Sequence, residues 1–112
     1  MKILFTAKGE NWDSMIDSRF GRTEYFFIYD TSTEKVETYD NRSINQEAHG
    51  AGPKTAQKLA EFGVDVLITG NGPGGNASAV IKQMGTKVWV GASSLTVREA
   101  YDAFNNGSLK EM

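Results

Sequence analysis

The sequence predicts one α/β domain. In it a mixed five-stranded sheet, ordered 3-2-1-4-5 with strand 2 antiparallel, lies between two layers of helix. Three observations predict it. The 112 residues give room for one core and no second domain, so the domain spans 1–112. Three strand-like runs precede position 40, and beyond position 50 apolar strands alternate with helix-period stretches that stop at glycine. The two strand–helix–strand connections created there require parallel neighbours and right-handed crossovers.

The elements follow in order. Lys2-Ile3-Leu4-Phe5-Thr6-Ala7 reads as a buried strand. Lys8 to about Gly21 is polar and long for a loop in so small a domain, and long loops tend to be functional or mobile. Glu24 to Tyr29 is an aromatic-rich strand, Asp30-Thr31-Ser32-Thr33 is turn chemistry, and Lys35 to Tyr39 is a third strand. The alternating charges of that third strand suit a sheet edge. After a second polar loop, Asp40 to Gly52, Pro53 is expected at the first helical position, with Ala56, Leu59 and Ala60 as the apolar stripe and Gly63 as the stop. Val64 to Thr69 is a strand interrupted by Asp65, and Gly70-Asn71-Gly72-Pro73-Gly74-Gly75 is a turn. The next helix carries Ala77, Val80, Ile81 and Met84 inward and stops at Gly85. Lys87 to Val90 is the fifth strand and Gly91 to Leu95 a loop. Thr96 and Glu99 form a capping box for a last helix, whose stripe is Val97, Ala100, Tyr101 and Phe104 and whose stop is Gly107.

The simplest joining of these elements is the ribonuclease H-like arrangement, a three-layer α/β/α domain. Strands 1, 3, 4 and 5 then point one way, and the glycine-bearing loops that follow them emerge at one edge of the sheet. Open α/β sheets bind ligands outside the carboxyl ends of their strands, so a crevice is expected between the loops after strands 1 and 4.

Composition removes several function classes. There is no cysteine, which excludes disulfides and any thiolate metal site, and there is one histidine. The net charge of −2 with no basic patch disfavours nucleic acid. The opening apolar run is too short for a signal peptide or membrane span, so a cytoplasmic location with no membrane partner is expected.

The motifs carry two meanings each. Gly70-x-Gly72-x-x-Gly75 matches the dinucleotide fingerprint, but the following strand lacks the acid that would hold a ribose. The glycines serve a tight turn, and free amides at Gly75, Asn76 and Ala77 can cradle an anion. No acid lies on strand 1, so a two-metal nuclease is not encoded, and no serine sits in a nucleophile elbow. His49 reads either as an exposed loop histidine or as a metal ligand. In Asp17-Ser18-Arg19-Phe20-Gly21-Arg22, Asp17 and Arg19 brace the loop on one reading. On the other, Arg19 and Arg22 attract an anionic ligand.

Asp17-x-Arg19-Phe20-Gly21-Arg22-x-x-Tyr25-Phe26, Gly50-x-Gly52, Gly63-Val64-Asp65-Val66-Leu67-Ile68-x-Gly70 and Gly74-Gly75-Asn76-Ala77 resemble the dinitrogenase iron–molybdenum cofactor biosynthesis family over nearly the whole chain. The resemblance implies a ribonuclease H-like fold and a small carrier of an iron–molybdenum cofactor precursor, an iron–sulfur cluster or a related anion, rather than an enzyme. Metal-cofactor assembly proteins are the implied partners of a chain expected to be monomeric. The expected ligand-binding residues are Asp17, Arg19, Arg22, Gly50, Gly72, Gly74, Gly75 and Asn76, with His49 as metal ligand and Met15 a weak second. A small metabolite-acting enzyme using Asp17 or His49 is the alternative. A regulatory or scaffolding domain docking through the edge of strand 5 is another.

Overall fold

The computed structural model describes residues 1–42 and 51–112. β1 (Lys2–Ala7) runs through the middle of the sheet, and all its residues after Lys2 are buried. Side chains alternate between the two faces of a strand, and here both faces are covered, which is why the run from Ile3 to Ala7 is apolar except at Thr6. Ile3, Phe5 and Ala7 enter one core and Leu4 enters the other. β2 (Tyr25–Asp30) pairs antiparallel with β1 from Ala7↔Tyr25 to Lys2↔Asp30. β3 (Lys35–Asp40) pairs antiparallel with β2 and is the open edge. Asp30 makes the hairpin turn by accepting Ser32 N at 2.9 Å and Glu34 N at 2.8 Å. β4 (Val66–Ile68) and β5 (Lys87–Val90) add on the other side, each parallel to its inner neighbour.

Three helices cover this sheet among the described residues. α1 (Ala51–Phe62) and α2 (Gly75–Gln83) bury Ala56, Leu59, Ala77 and Ile81 against Leu4, Phe26, Ile28 and Leu67 on one face. α3 (Val97–Asn105) buries Val97 and Ala100 against Ile3, Phe5, Phe27 and Ile68 on the other. The predicted capping box is present: Thr96 Oγ1 accepts Glu99 N at 3.1 Å and Glu99 Oε1 accepts Thr96 N at 2.9 Å. Gly63, Gly85 and Gly107, the three expected stops, all have positive φ.

The sheet order is β3-β2-β1-β4-β5-β6, so the predicted order holds and a sixth strand extends it. β6 (Lys110–Glu111) is two polar residues long and pairs antiparallel with β5, Trp89 with Glu111 and Val90 with Lys110. Such a segment has no hydrophobic period to announce it. It forms because buried Leu109 anchors the chain after the Gly107 turn and returns it alongside β5. The strand 5 edge expected to be open for docking is therefore partly paired. Smaller expectations also shift: Ala60 and Val80, expected on the inward stripes of their helices, are exposed. α1 takes in Ala51 and Gly52 ahead of Pro53, and Asp65 stands just before β4, where its carboxylate accepts Lys2 N at 2.8 Å.

The loop from Lys8 to Glu24 is tied down along its length. Ile16 is buried and bridges Ala7, and Met15 bridges Thr96. Trp12 packs on Phe27 and Tyr29 with ring centroids 4.9 and 5.1 Å away, both edge-on. Its contacts dock the loop on the core under α3, and Trp12→Ala is expected to lower the unfolding free energy by about 2–3 kcal/mol. Urea denaturation measures it, and a loss near zero would mean that the loop does not stabilise the domain. Thr96→Ala should cost about 1 kcal/mol in the same assay by removing the cap of α3.

Candidate functional site

Strand register places the loops. Asp40 pairs with Tyr25 and Tyr25 with Ala7, while Gly91 N donates to Gly70 O at 3.0 Å, so the ends of β1, β3, β4 and β5 share one rim. With strands about 4.8 Å apart, the end of β3 lies about 14 Å from the turn after β4.

The loop after β1 and the turn after β4 are bonded directly to each other. Thr6 Oγ1 donates to Asp17 O at 2.7 Å and lies 2.7 Å from Thr69 Oγ1, and Asn71 N donates to Ser18 O at 3.0 Å. Gly70 is required there by close approach: a Cβ would stand 2.7 Å from Ser18 Cα and would also strike the Ser93 hydroxyl. The base of the expected crevice between these loops is thus filled, and a ligand has to sit on top of it. Gly72, with φ of +85°, turns the chain next to Val90 and Met112 and delivers it to buried Pro73 and the start of α2.

Asp17 organises the rim. It is 1% exposed, and its carboxylate accepts four hydrogen bonds. Oδ1 takes Arg19 N at 3.0 Å and Arg19 Nε at 3.1 Å, and Oδ2 takes Arg19 Nη2 at 3.0 Å and Glu24 N at 3.1 Å. The hydrogen-bonded Asp17 carboxylate raises the pKa of the Arg19 guanidinium against a smaller opposing effect of burial. The Arg19 side chain remains 52% exposed, so its head is fixed in direction yet reachable. Phe20 fills the core beneath, as the bracing interpretation of this segment requires. Arg22 is half-buried further along the segment and is engaged in an interaction.

The start of α2 is open. Its N-cap is Gly74, no side chain caps it, and its first turn holds no acidic residue. Gly74 and Gly75 are exposed, and Asn76 stands in the first turn. Backbone N–H groups at such a terminus carry partial positive charge and suit an anion. The structure therefore gathers Asp17, Arg19, Gly72, Gly74 and Gly75 on one rim. His49 and Gly50 lie outside the described residues. Among those described, no group of three His, Asp or Glu side chains could hold a metal ion.

Sequence reading missed several rim residues. Asn41 is fully buried, its Nδ2 donates to Thr23 O at 3.1 Å, and its Oδ1 has no partner among the described residues. Arg42 is held by Asp40, with Nη2–Oδ2 at 2.7 Å, and stands 5.2 Å from the Tyr25 ring centroid. This pair lowers the Asp40 pKa to about 2. The repeated Asp-x-Arg spacing at 17–19 and 40–42 was the available signal.

The family model for dinitrogenase iron–molybdenum cofactor matches residues 1–107. Among solved structures, the apo form of the orange protein from Desulfovibrio gigas is 37% identical, with 99% of this chain and 92% of that one covered and a TM-score of 0.92. A candidate NifB protein of the DUF35 family from Thermotoga is 42% identical, covering 98% of this chain and 91% of that one, with a TM-score of 0.85. A third structure, PH0822, is 22% identical, covering 100% of this chain and 96% of that one with a TM-score of 0.76, and supports the fold alone. No curated protein matches the sequence.

Two outcomes check this geometry. Asp17→Asn places an N–H₂ among four donors and strips Arg19 of its partner, so unfolding free energy should fall by about 2–4 kcal/mol in denaturant titration. Asp40 should titrate by carboxylate NMR with a midpoint of about 2. Because that value is depressed in the folded state, the stabilisation is present above the unfolded value of about 3.9 and is lost as pH falls through the folded one. In Arg42→Gln the midpoint should return toward about 3.9. An unchanged midpoint would show that Arg42 is not the cause.

Proposed function

This chain belongs to the dinitrogenase iron–molybdenum cofactor family, and from that premise we propose that it is a small, non-catalytic carrier of a preassembled anionic metal cofactor. The cargo is an iron–molybdenum cofactor precursor or an iron–sulfur cluster. The observation that carries this reading is the joining of two anion-seeking groups on one rim. The uncapped start of α2 follows on the turn whose Asn71 N is bonded to the carbonyl of Ser18, the residue that precedes Arg19 in the chain.

The donor set fits a cluster that arrives with its own ligands. The chain has no thiolate to offer. What the rim offers is hydrogen bonds and positive charge: Arg19 and Arg22 on one side, and the amides of Gly75, Asn76 and Ala77 on the other, reached through the turn at Gly72 and Gly74. Asp17 serves this site by aiming Arg19. Direct ligation falls to the imidazole of His49, beside Gly50, which a borderline metal accepts without a thiolate. Held mainly by charge and hydrogen bonds, the cargo is released without breaking a set of metal–protein bonds, as suits transfer to metal-cofactor assembly proteins. The carrier acts as a cytoplasmic monomer.

The test is anaerobic incubation of the pure protein with iron–molybdenum cofactor precursor, followed by gel filtration with metal analysis. Metal should co-elute with the protein, and Arg19→Gln and His49→Ala should each reduce the amount retained several-fold. Absence of iron and molybdenum from the wild-type protein peak overturns the reading.

A further inference from the structure

Three loops meet around Gly70 in a closed ring of backbone bonds. The loop after β1 meets the turn after β4 where Asn71 N donates to Ser18 O at 3.0 Å. That turn meets the loop after β5 where Gly91 N donates to Gly70 O at 3.0 Å. The loop after β5 returns to the loop after β1 where Ile16 N donates to Leu95 O at 2.9 Å. Each bond joins segments remote in sequence, so none of the three loops shifts without breaking its bonds to the other two. Leu95 N also donates to Ala92 O at 3.0 Å, a tight turn that holds Ser93 and Ser94 at its tip.

Gly70 is where side chains of two of these loops come together. A Cβ there would strike the Ser93 hydroxyl and would stand 2.7 Å from Ser18 Cα and 3.1 Å from Ser18 Cβ. Both serines thus lie against the same bare stretch of backbone, and their hydroxyls are at most on the order of 7 Å apart. Ser18 is half-buried and Ser93 exposed, so the spot is reachable from solvent. Neither hydroxyl is bonded to another described residue. A serine hydroxyl carries one O–H donor, and here both donors are available to a ligand. A side chain at position 70 would push the two serines apart, which gives the glycine a part in the arrangement beyond chain packing.

We propose that Ser18 and Ser93 form a two-hydroxyl seat over Gly70, which takes one oxygen-bearing anionic group of the ligand. This deepens the reading of the rim as the ligand site and rests on it. Two hydrogen bonds of about 2.7 Å, together with the width of one small tetrahedral oxyanion, close a gap of that order. O–H donors bind a compact charged oxygen more strongly and at shorter range than a neutral acceptor. The seat itself is neutral, so it selects by acceptor strength, whereas the start of α2 selects by charge. Ser93 brings a third loop into the site, beyond the loops after β1 and β4 that carry Asp17, Arg19 and the glycine turn.

Molybdate is the probe, with perchlorate, a tetrahedral anion that is a poor acceptor, as control at constant ionic strength because exposed charges are screened. Binding is followed by backbone-amide NMR. Molybdate should shift the amides of Ser18, Gly70 and Ser93 saturably, and perchlorate should leave them in place. Ser93→Ala and Ser18→Ala should each weaken molybdate about fivefold, the effect of one net hydrogen bond. Ser93→Thr keeps the hydroxyl and should bind as wild type does. The proposal is overturned if Ser93→Ala binds as wild type does, if Ser93→Thr binds no better than Ser93→Ala, if perchlorate shifts the same amides equally, or if the wild-type protein does not bind molybdate. Each of those outcomes leaves the carrier reading intact, which the metal co-elution experiment decides separately. Failure of co-elution with Ser93-dependent molybdate binding preserved removes the carrier and keeps the seat. Ser93 is exposed, so its two variants keep the core and decide the matter should Ser18→Ala fail to fold.

Discussion

The Asp17 carboxylate is buried at the end of the sheet and takes four donors, two from backbone and two from one guanidinium. A buried charge is tolerable only when its acceptors are filled, so the segment 17–24 has to fold around it. That requirement fixes the position of Ser18, whose carbonyl receives the turn after β4, and of Glu24, whose carbonyl receives the residue after β3. Three loops that are remote in sequence are thus registered on one group. Thr6 and Thr69 add a buried hydroxyl contact beneath it, tying the two central parallel strands at the same level.

The same arrangement shows what a rim with no group of metal-ligating side chains among its described residues can offer a ligand. Its resources are directional: guanidinium heads fixed by aspartates, and a helix start left open by glycine. Such groups recognise charge and shape without forming bonds to metal. The fixed aspartates also neutralise much of the charge they orient, so the rim is not strongly cationic.

Much of the fold was legible because local pattern and burial agree. β1 is apolar at nearly every position because helices cover both faces of the sheet, and the Thr96–Glu99 box and the glycine stops mark helix ends by local chemistry that needs no distant partner. β6 was not legible, since two polar residues form a strand only when an edge is present to receive them. The long loop after β1 read as open because its anchors, Trp12 and Ile16, are scattered among polar residues and find their partners on β2, α3 and the end of β1.

For the site, the sequence by itself determined which chemistry could be present: no thiolate, one imidazole, arginines beside aspartates at a fixed spacing, and glycines where a strand meets a helix. These are properties of residue type and near neighbours, which a chain carries with it. Only the tertiary structure decided which of them meet. Glu24 comes to Asp17, and Asn41 to Glu24, through antiparallel pairing of β2 with both its neighbours, and Gly70 comes to Ser18 through the parallel pairing of β1 with β4. Those contacts join residues up to about fifty positions apart. Their geometry is set by strand register and core packing, which no local pattern encodes.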